Sequence, residues 1–268
     1  MTTTLEAVLL GALQGVTEWL PVSSSGHLVL AQRFLGAPAS IGFDAFLHVA
    51  TFLVVVAYFR DDVYKIASDL LKATRTLLEG KKIKKTADLK LTCLILAASI
   101  PTGIIGVGFK DILEGMYADV TSVSIGLIVT GIFLAASHLK KKPVKLDWAS
   151  ATIIGLAQGV AIVPGISRSG ATIATAIFLG VERKQAARFS FLILIPAAVG
   201  GILLEADGMI GGVISSPLSY AMGFLASLIV GYASLGYLMK IVREGKLHYF
   251  AYYVIPLGLA SLLAVRHL

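Results

Sequence analysis

Gln14-Gly15-Val16-Thr17-Glu18-Trp19-Leu20-Pro21-Val22-Ser23-Ser24-Ser25-Gly26-His27 is a polar knot set inside an apolar N-terminal segment. Its meaning comes from a second copy. Shifting the sequence by about 144 positions lays Gly155, Gln158, Gly159, Val160, Ser167, Ser169 and Gly170 onto Gly11, Gln14, Gly15, Val16, Ser23, Ser25 and Gly26 without a gap. The chain reads as one membrane domain made by duplication, with repeats over about 1–140 and 145–268 and one special loop in each. The copies differ in chemistry. The first carries Glu18 and His27 where the second has Ile162 and Ala171, and the second carries Arg168 where the first has Ser24. One loop brings a carboxylate and an imidazole, the other a guanidinium.

Lipid is the solvent for most of this chain. Hydrophobic residues make up 56% and charged residues 15%, against about 25% charged in a soluble domain, and the mean hydropathy is +0.84. The single Cys93 excludes a disulfide framework and a thiolate zinc site. The net charge of +7 does not point to nucleic acid, because the basic residues sit in short loops flanking apolar runs, which is the topogenic pattern. The N-terminus lacks a basic region ahead of its apolar stretch, so no cleavable signal peptide is expected.

Residues 5–20 predict a helix ending at Pro21, shorter than the roughly 20 residues needed to cross a bilayer. The apolar run from Leu28 to Leu35 is shorter still. Two half-length helices joined by a Ser/Gly/Pro turn predict a re-entrant hairpin, and 148–163 with 170–180, hinged at Pro164-Gly165, predict a second. Runs long enough to span lie at about 44–60, 90–108, 120–138, 188–205, 218–240 and 249–265. The expected fold is therefore all-α, with six transmembrane helices and two re-entrant helix-turn-helix hairpins. Three crossings separate the hairpins, an odd number, so the second half is expected to be inverted relative to the first.

Loop charge supplies an orientation. Arg60, Lys65, Lys72, Arg75, Lys81, Lys82, Lys84, Lys85 and Lys90, then Lys140, Lys141, Lys142 and Lys145, then Arg183, Lys184 and Arg188, then Lys240, Arg243 and Lys246 fall on one side. The other side holds Arg33, Lys110 and Arg266. The positive-inside rule puts the first set in the cytoplasm and both termini outside. Hairpin one then opens outward and hairpin two inward, their tips meeting near mid-membrane. The 61–89 segment reads as an amphipathic helix at the cytoplasmic headgroups, a solvated and lipid-attracted loop rather than a site.

Gln14 and Glu18 are four apart and share a helix face. A carboxylate at membrane depth costs at least about 2.5 kcal/mol on insertion scales, so Glu18 needs a partner or a function. A cap or hydrogen bond to the second hairpin would meet the first need; Arg168, His27 and the nearby hydroxyls point to the second. Ser23-Ser24-Ser25-Gly26 opens a short helix, so its backbone N–H groups and hydroxyls form an anion seat, and Ser167-Arg168-Ser169-Gly170 repeats it. Serine turns alone are ordinary caps; two at equivalent positions, one with an arginine whose fork suits phosphate oxygens, predict a phosphate or pyrophosphate site. Asp44, His48 and Thr51 mark one face of the first full crossing, with His48 read as a core histidine that Asp44 could tie into outer support. No HExxH, Cys/His cluster or Walker loop is present.

The motif Gln14-x-x-x-Glu18-Trp19-Leu20-Pro21-Val22-Ser23-Ser24-Ser25-Gly26-His27, with Pro164-Gly165-Ile166-Ser167-Arg168-Ser169-Gly170-Ala171-Thr172, resembles the bacitracin-resistance family of undecaprenyl-diphosphate phosphatases. The likeness covers the whole chain, including Phe43-Asp44, Leu47-His48, and Arg188-Phe189-Ser190-Phe191-Leu192 with Pro196. It implies an integral plasma-membrane phosphatase that cleaves polyprenyl diphosphate to the monophosphate and inorganic phosphate on the extracytoplasmic side. That reaction recycles the lipid carrier for cell-wall glycan synthesis, with a divalent cation, Mg2+ or Ca2+. The resemblance gives Glu18 as metal ligand or general base, His27 as proton-transfer group or nucleophile, and Ser24 as an alternative nucleophile. Arg168 with Ser167, Ser169 and Thr172 becomes the diphosphate clamp, and Gln14, Ser23, Ser25, Gly26 and Gly170 the remaining substrate contacts. One position departs: the family often has glutamate where this chain has Gln14, which removes an anionic ligand and keeps an oxygen donor.

Inverted repeats with broken helices are also transporter architecture, and a flippase of polyprenyl phosphate would use the same seat. Phosphate release in detergent, which needs no second compartment, separates the two readings. A purely structural scaffold leaves the intramembrane Glu18, His27 and Arg168 without a role. Gly11-x-x-x-Gly15 and Gly155-x-x-x-Gly159 would permit close helix contacts, in a homodimer or in packing within the duplicated hairpins.

Overall fold

The computed structural model describes residues 3–37, 40–82, 86–117, 119–138 and 143–265, and the described elements are helices. The first half runs α1 (Thr4–Thr17), α2 (Ser24–Leu35), α3 (Ile41–Tyr58), α4 (Arg60–Leu78), α5 (Ala87–Gly108), α6 (Lys110–Tyr117) and α7 (Val120–Ala136). The second runs α8 (Trp148–Val160), α9 (Arg168–Phe178), α10 (Arg183–Leu204), α11 (Ala206–Ser215), α12 (Pro217–Glu244), a 3-10 turn (Leu247–Phe250) and α13 (Ala251–Ala264). Five segments, α3, α5, α10, α12 and Leu247–Ala264, are long and apolar enough to cross a membrane, and the α6–α7 pair, bent by 97°, makes a sixth when it is counted as one span. The chain is an all-α multi-pass membrane protein.

The hairpins form as the sequence predicts, with one shift. α1 stops at Thr17, three residues before the expected end, because the residue before a proline is driven out of the helical region and Leu20 precedes Pro21. Thr17 closes the helix by donating its hydroxyl to the Leu13 carbonyl at 2.7 Å. Each second helix then starts on a serine cap: Ser23 Oγ accepts from Gly26 N at 3.2 Å and Ser167 Oγ from Gly170 N at 3.1 Å. Ser23 is the only described non-glycine residue with positive φ, at 70°. At the other tip Gly165 takes φ +88°, and a Cβ there would lie 2.1 Å from the Val123 carbonyl oxygen of α7.

The halves interlock. α1 lies along α12, and α8 along α5, so each hairpin packs on the opposite half. A Cβ on Gly11 would stand 2.1 Å from the Gly223 oxygen, and one on Gly155 2.1 Å from the Ala98 oxygen. These glycine faces are therefore occupied by internal packing. Gly155→Ala should destabilise the detergent-purified protein by about 2 kcal/mol, since backbone on both sides cannot yield. Gly236→Ala, where an added methyl meets open space, should leave the thermal midpoint unchanged or higher; equal midpoints for both variants would contradict the interlocked packing.

α4 buries none of its residues, in line with the solvated segment expected there. Arg188 of α10 ties it down by donating from Nε to Asp62 Oδ2 at 3.1 Å and from Nη2 to Asp62 Oδ1. Residues 83–85 of the lysine run lie outside the described residues. The short helices α6 and α11 fall where the sequence pattern predicted only connections.

Candidate active site

The two tips meet. Ser169 Oγ lies 3.4 Å from the Leu20 carbonyl, and a Cβ on Gly26 would reach within 3.3 Å of Gly165 Cα. Trp19, fully buried, anchors the first tip by packing edge-on against Phe191 of α10 with ring centroids 5.7 Å apart. The Arg168 guanidinium carbon lies 5.8 Å from the centre of the same ring. One aromatic residue of α10 thus fixes both the segment that ends α1 and the cation that opens α9.

Glu18 is the hub. At the C-terminal cap of α1, its side chain is 7% exposed and both oxygens are engaged. Arg168 Nη2 donates to Oε1 at 3.0 Å across 150 residues of sequence. Oε2 accepts from Ser24 Oγ at 2.7 Å and Gln14 Nε2 at 3.1 Å, and faces His48 Nε2 at 3.4 Å. His48 Nδ1 lies 2.8 Å from the Asp44 carbonyl oxygen, which can only accept. The proton therefore sits on Nδ1, and Nε2 is the atom presented to Glu18. Asp44 is held in turn by Gln32 of α2, whose Nε2 donates to Oδ1 at 2.7 Å.

Of these groups, Glu18, Asp44, His48 and Arg168 line one end of a cavity of about 430 Å³ between α3, α5, α6 and α10, with Ser24 and Gln14 behind Glu18. Glu18, Asp44, His48, Thr51, Gln158 and Arg168 form its polar floor, and residues such as Phe52, Leu194 and Ile202 its apolar walls. The His48 side chain is 39% exposed, and what it opens onto is this cavity. Arg168 Nη1 is buried without a hydrogen-bond partner, and so are the amide oxygens of Gln14 and Gln158. An unpartnered donor on a buried cation suits an anionic oxygen.

The structure brings Glu18, Ser24, Gln14 and Arg168 together as the sequence predicts. It does not bring His27 to them. His27 Nδ1 lies 2.8 Å from the Ser23 carbonyl, Nε2 lies 2.8 Å from the Tyr253 hydroxyl, and the two rings stack, so the imidazole facing Glu18 is His48. Ser167, Ser169 and Thr172 are buried and engaged locally. Ser167 N donates to Thr130 Oγ1 at 2.8 Å, and Thr172 Oγ1 lies 2.7 Å from the Arg168 carbonyl and 2.5 Å from Ser190 Oγ. They build the second tip, and Ser23 and Ser25, with Oγ atoms 3.3 Å apart, build the first. The sequence signal for His48 was its i, i+4 relation to Asp44, read as outer support; Gln158 stood out as the repeat counterpart of Gln14 and Phe191 within the family likeness, and neither was given a role at the site.

Among the described residues no three His, Cys, Asp or Glu side chains converge into a metal cage. Beside Arg168 the oxygen donors are Glu18 and the unpartnered Gln14 Oε1, with Asp44 and the unpartnered Gln158 Oε1 further along the floor. That set fits a hard cation held by one or two protein oxygens and completed by substrate phosphates, the usual manner of Mg2+.

A family model described as bacitracin resistance protein BacA matches residues 7–260. The chain is 38% identical over 257 residues to the undecaprenyl-diphosphatase of Korarchaeum cryptofilum, covering 96% of this chain and 97% of that one. It is 41% identical over 261 residues to the undecaprenyl-diphosphatase of Treponema denticola, with 95% and 94% covered. A third relative, the undecaprenyl-diphosphatase of Rubrobacter xylanophilus, is 41% identical over 272 residues with 97% of each chain covered.

Proposed function

The chain belongs to the bacitracin resistance protein BacA family, and from that premise we propose that its cavity is the catalytic centre of an undecaprenyl-diphosphatase. It is a membrane hydrolase that takes one phosphate from undecaprenyl diphosphate and leaves the monophosphate. The observation that carries the placement of the chemistry is Arg168: one nitrogen holds Glu18 and the other is buried without a hydrogen-bond partner. The terminal phosphate sits against Nη1, where the guanidinium balances the charge that grows on the transferred group.

Ser24 Oγ, already donating to Glu18 Oε2, is the attacking atom. As its bond to phosphorus forms, the bridging P–O bond breaks and the hydroxyl proton passes to Glu18. His48 Nε2, on the far side of the same carboxylate oxygen, relays that proton to the departing monophosphate. Water then attacks the phosphoserine, giving its proton back through Glu18 to Ser24 and releasing inorganic phosphate. A divalent cation, Mg2+ or Ca2+, held by Glu18 and Gln14 Oε1 would draw charge from the phosphate oxygens.

Phosphate release from a polyprenyl diphosphate by purified protein in detergent tests this directly, and absence of release would overturn it. The relatives named above are phosphatases, which favours hydrolysis over the flippase reading. The imidazole assignment has its own test. His48→Ala should lower kcat by about a hundredfold and remove one limb of the pH profile, whereas His27→Ala should keep both limbs. The reverse pattern would return proton transfer to His27.

The two halves are inverted repeats in this proposal, and the cavity opens to the extracytoplasmic side. The lysine and arginine asymmetry supports that direction. Cysteine probes at Lys82 and Gly115 should label from the cytoplasm and from outside respectively. Labelling of both from one side would remove the inversion.

A further inference from the structure

Above its polar floor the cavity is walled by apolar residues, and charge returns only at the rim. Lys110, Glu114 and Glu205 line the cavity with side chains 37%, 41% and 27% exposed, against 15% for Arg168 at the floor. Among the described residues Lys110 and Arg168 are the two cations lining it. Lys110 opens α6, which crosses at 97° to α7, and Glu205 ends α10 in the other half. Its Nζ lies 3.3 Å from Glu114 Oε1 and 3.6 Å from Glu205 Oε1. Both distances exceed the roughly 2.7–2.9 Å of a tight charge-assisted hydrogen bond, so the ammonium is held loosely by two carboxylates.

We propose that Lys110 is the capture residue for the lipid-borne diphosphate, trading Glu205 for a phosphate oxygen at the rim before Arg168 takes the group at the floor. The proposal rests on the phosphatase reading above. The two cations suit the two tasks. A lysine ammonium is a flexible, strongly hydrated point charge that binds any phosphate oxygen and releases it, whereas the planar arginine fork fixes orientation. Glu114 and Glu205 hold the ammonium at the rim while the cavity is empty and screen it from smaller anions. A capture charge acts on encounter and on apparent affinity, and its effect fades as salt screens it.

The test is steady-state phosphate release from a polyprenyl diphosphate in detergent. Lys110→Ala should raise KM about tenfold with kcat within about twofold of wild type, and the gap should narrow as ionic strength rises. Lys110→Arg should restore the wild-type KM, because charge suffices at the rim. Glu205→Gln should lower KM about twofold, because it frees the ammonium without removing it. The proposal is overturned by an unchanged KM in Lys110→Ala, or by a fall in kcat that Lys110→Arg does not restore. It is equally overturned if Glu205→Gln raises KM as Lys110→Ala does, since the pair would then merely fasten α6 to α10. A wild-type protein that releases no phosphate would sink the phosphatase reading instead.

Discussion

Arg168→Lys should lower kcat for phosphate release by at least about a hundredfold although the charge is retained. The guanidinium does two things at once: Nη2 holds Glu18 at 3.0 Å while Nη1, buried and unpartnered, is left for the substrate. An ammonium is a single centre on a longer, floppier stem. It can hold the carboxylate or the phosphate, and it gives up the contact with the Phe191 face. The measurement is kcat at saturating substrate, on a variant whose thermal midpoint confirms that the tips remain closed. Recovery of a tenth or more of wild-type turnover would mean that net charge alone matters at this position.

Glu18→Gln and Ser24→Ala should each lower kcat about a thousandfold, and the double variant should be scarcely worse than either single one, because groups that act as a unit are strongly non-additive. Glu18 Oε2 receives the Ser24 hydroxyl at 2.7 Å, so removing either end removes the same proton transfer. The two singles should differ in stability. Glu18→Gln leaves the buried Arg168 without its counter-charge, a loss of about 3–5 kcal/mol, whereas Ser24→Ala removes one hydrogen bond worth about 1.5–3 kcal/mol to a charged acceptor. Multiplicative losses in kcat would assign Ser24 and Glu18 to separate steps. Retention of more than a tenth of the activity in Ser24→Ala would make water the attacking group.

The parts of this fold that lipid enforces were legible in the sequence. Half-length apolar runs around Ser/Gly/Pro turns cannot cross a bilayer, and open backbone at that depth must find protein, so the meeting of Glu18 with Arg168 followed from pairing the two tips. What depended on local backbone direction was not legible. His27 lies inside the motif, but α2 starts from a serine at φ 70° and carries the imidazole round to Tyr253. His48 lies outside both motifs, and a neighbour 30 positions away in sequence leaves no periodic trace. The early end of α1 came from the residue before Pro21, and the rim helix α6 was too short for its pattern to stand out.

The exchange of hairpins between halves has a consequence for how the protein is made. The glycine face of α1 finds its backbone partner on α12, and Glu18 finds Arg168, only after much of the remaining chain has been synthesised. At about 5–20 residues per second, α12 leaves the ribosome tens of seconds after α1. Through that interval the first hairpin holds an unpaired carboxylate and a bare seam of backbone that hydrocarbon cannot satisfy. It must wait near the headgroups, or under the cover of the insertion machinery, and seat itself after the helices that follow it. The N-terminus is thus the first part translated and among the last to reach its place, and a truncated chain lacking α12 would leave the glycine face of α1 without its packing partner.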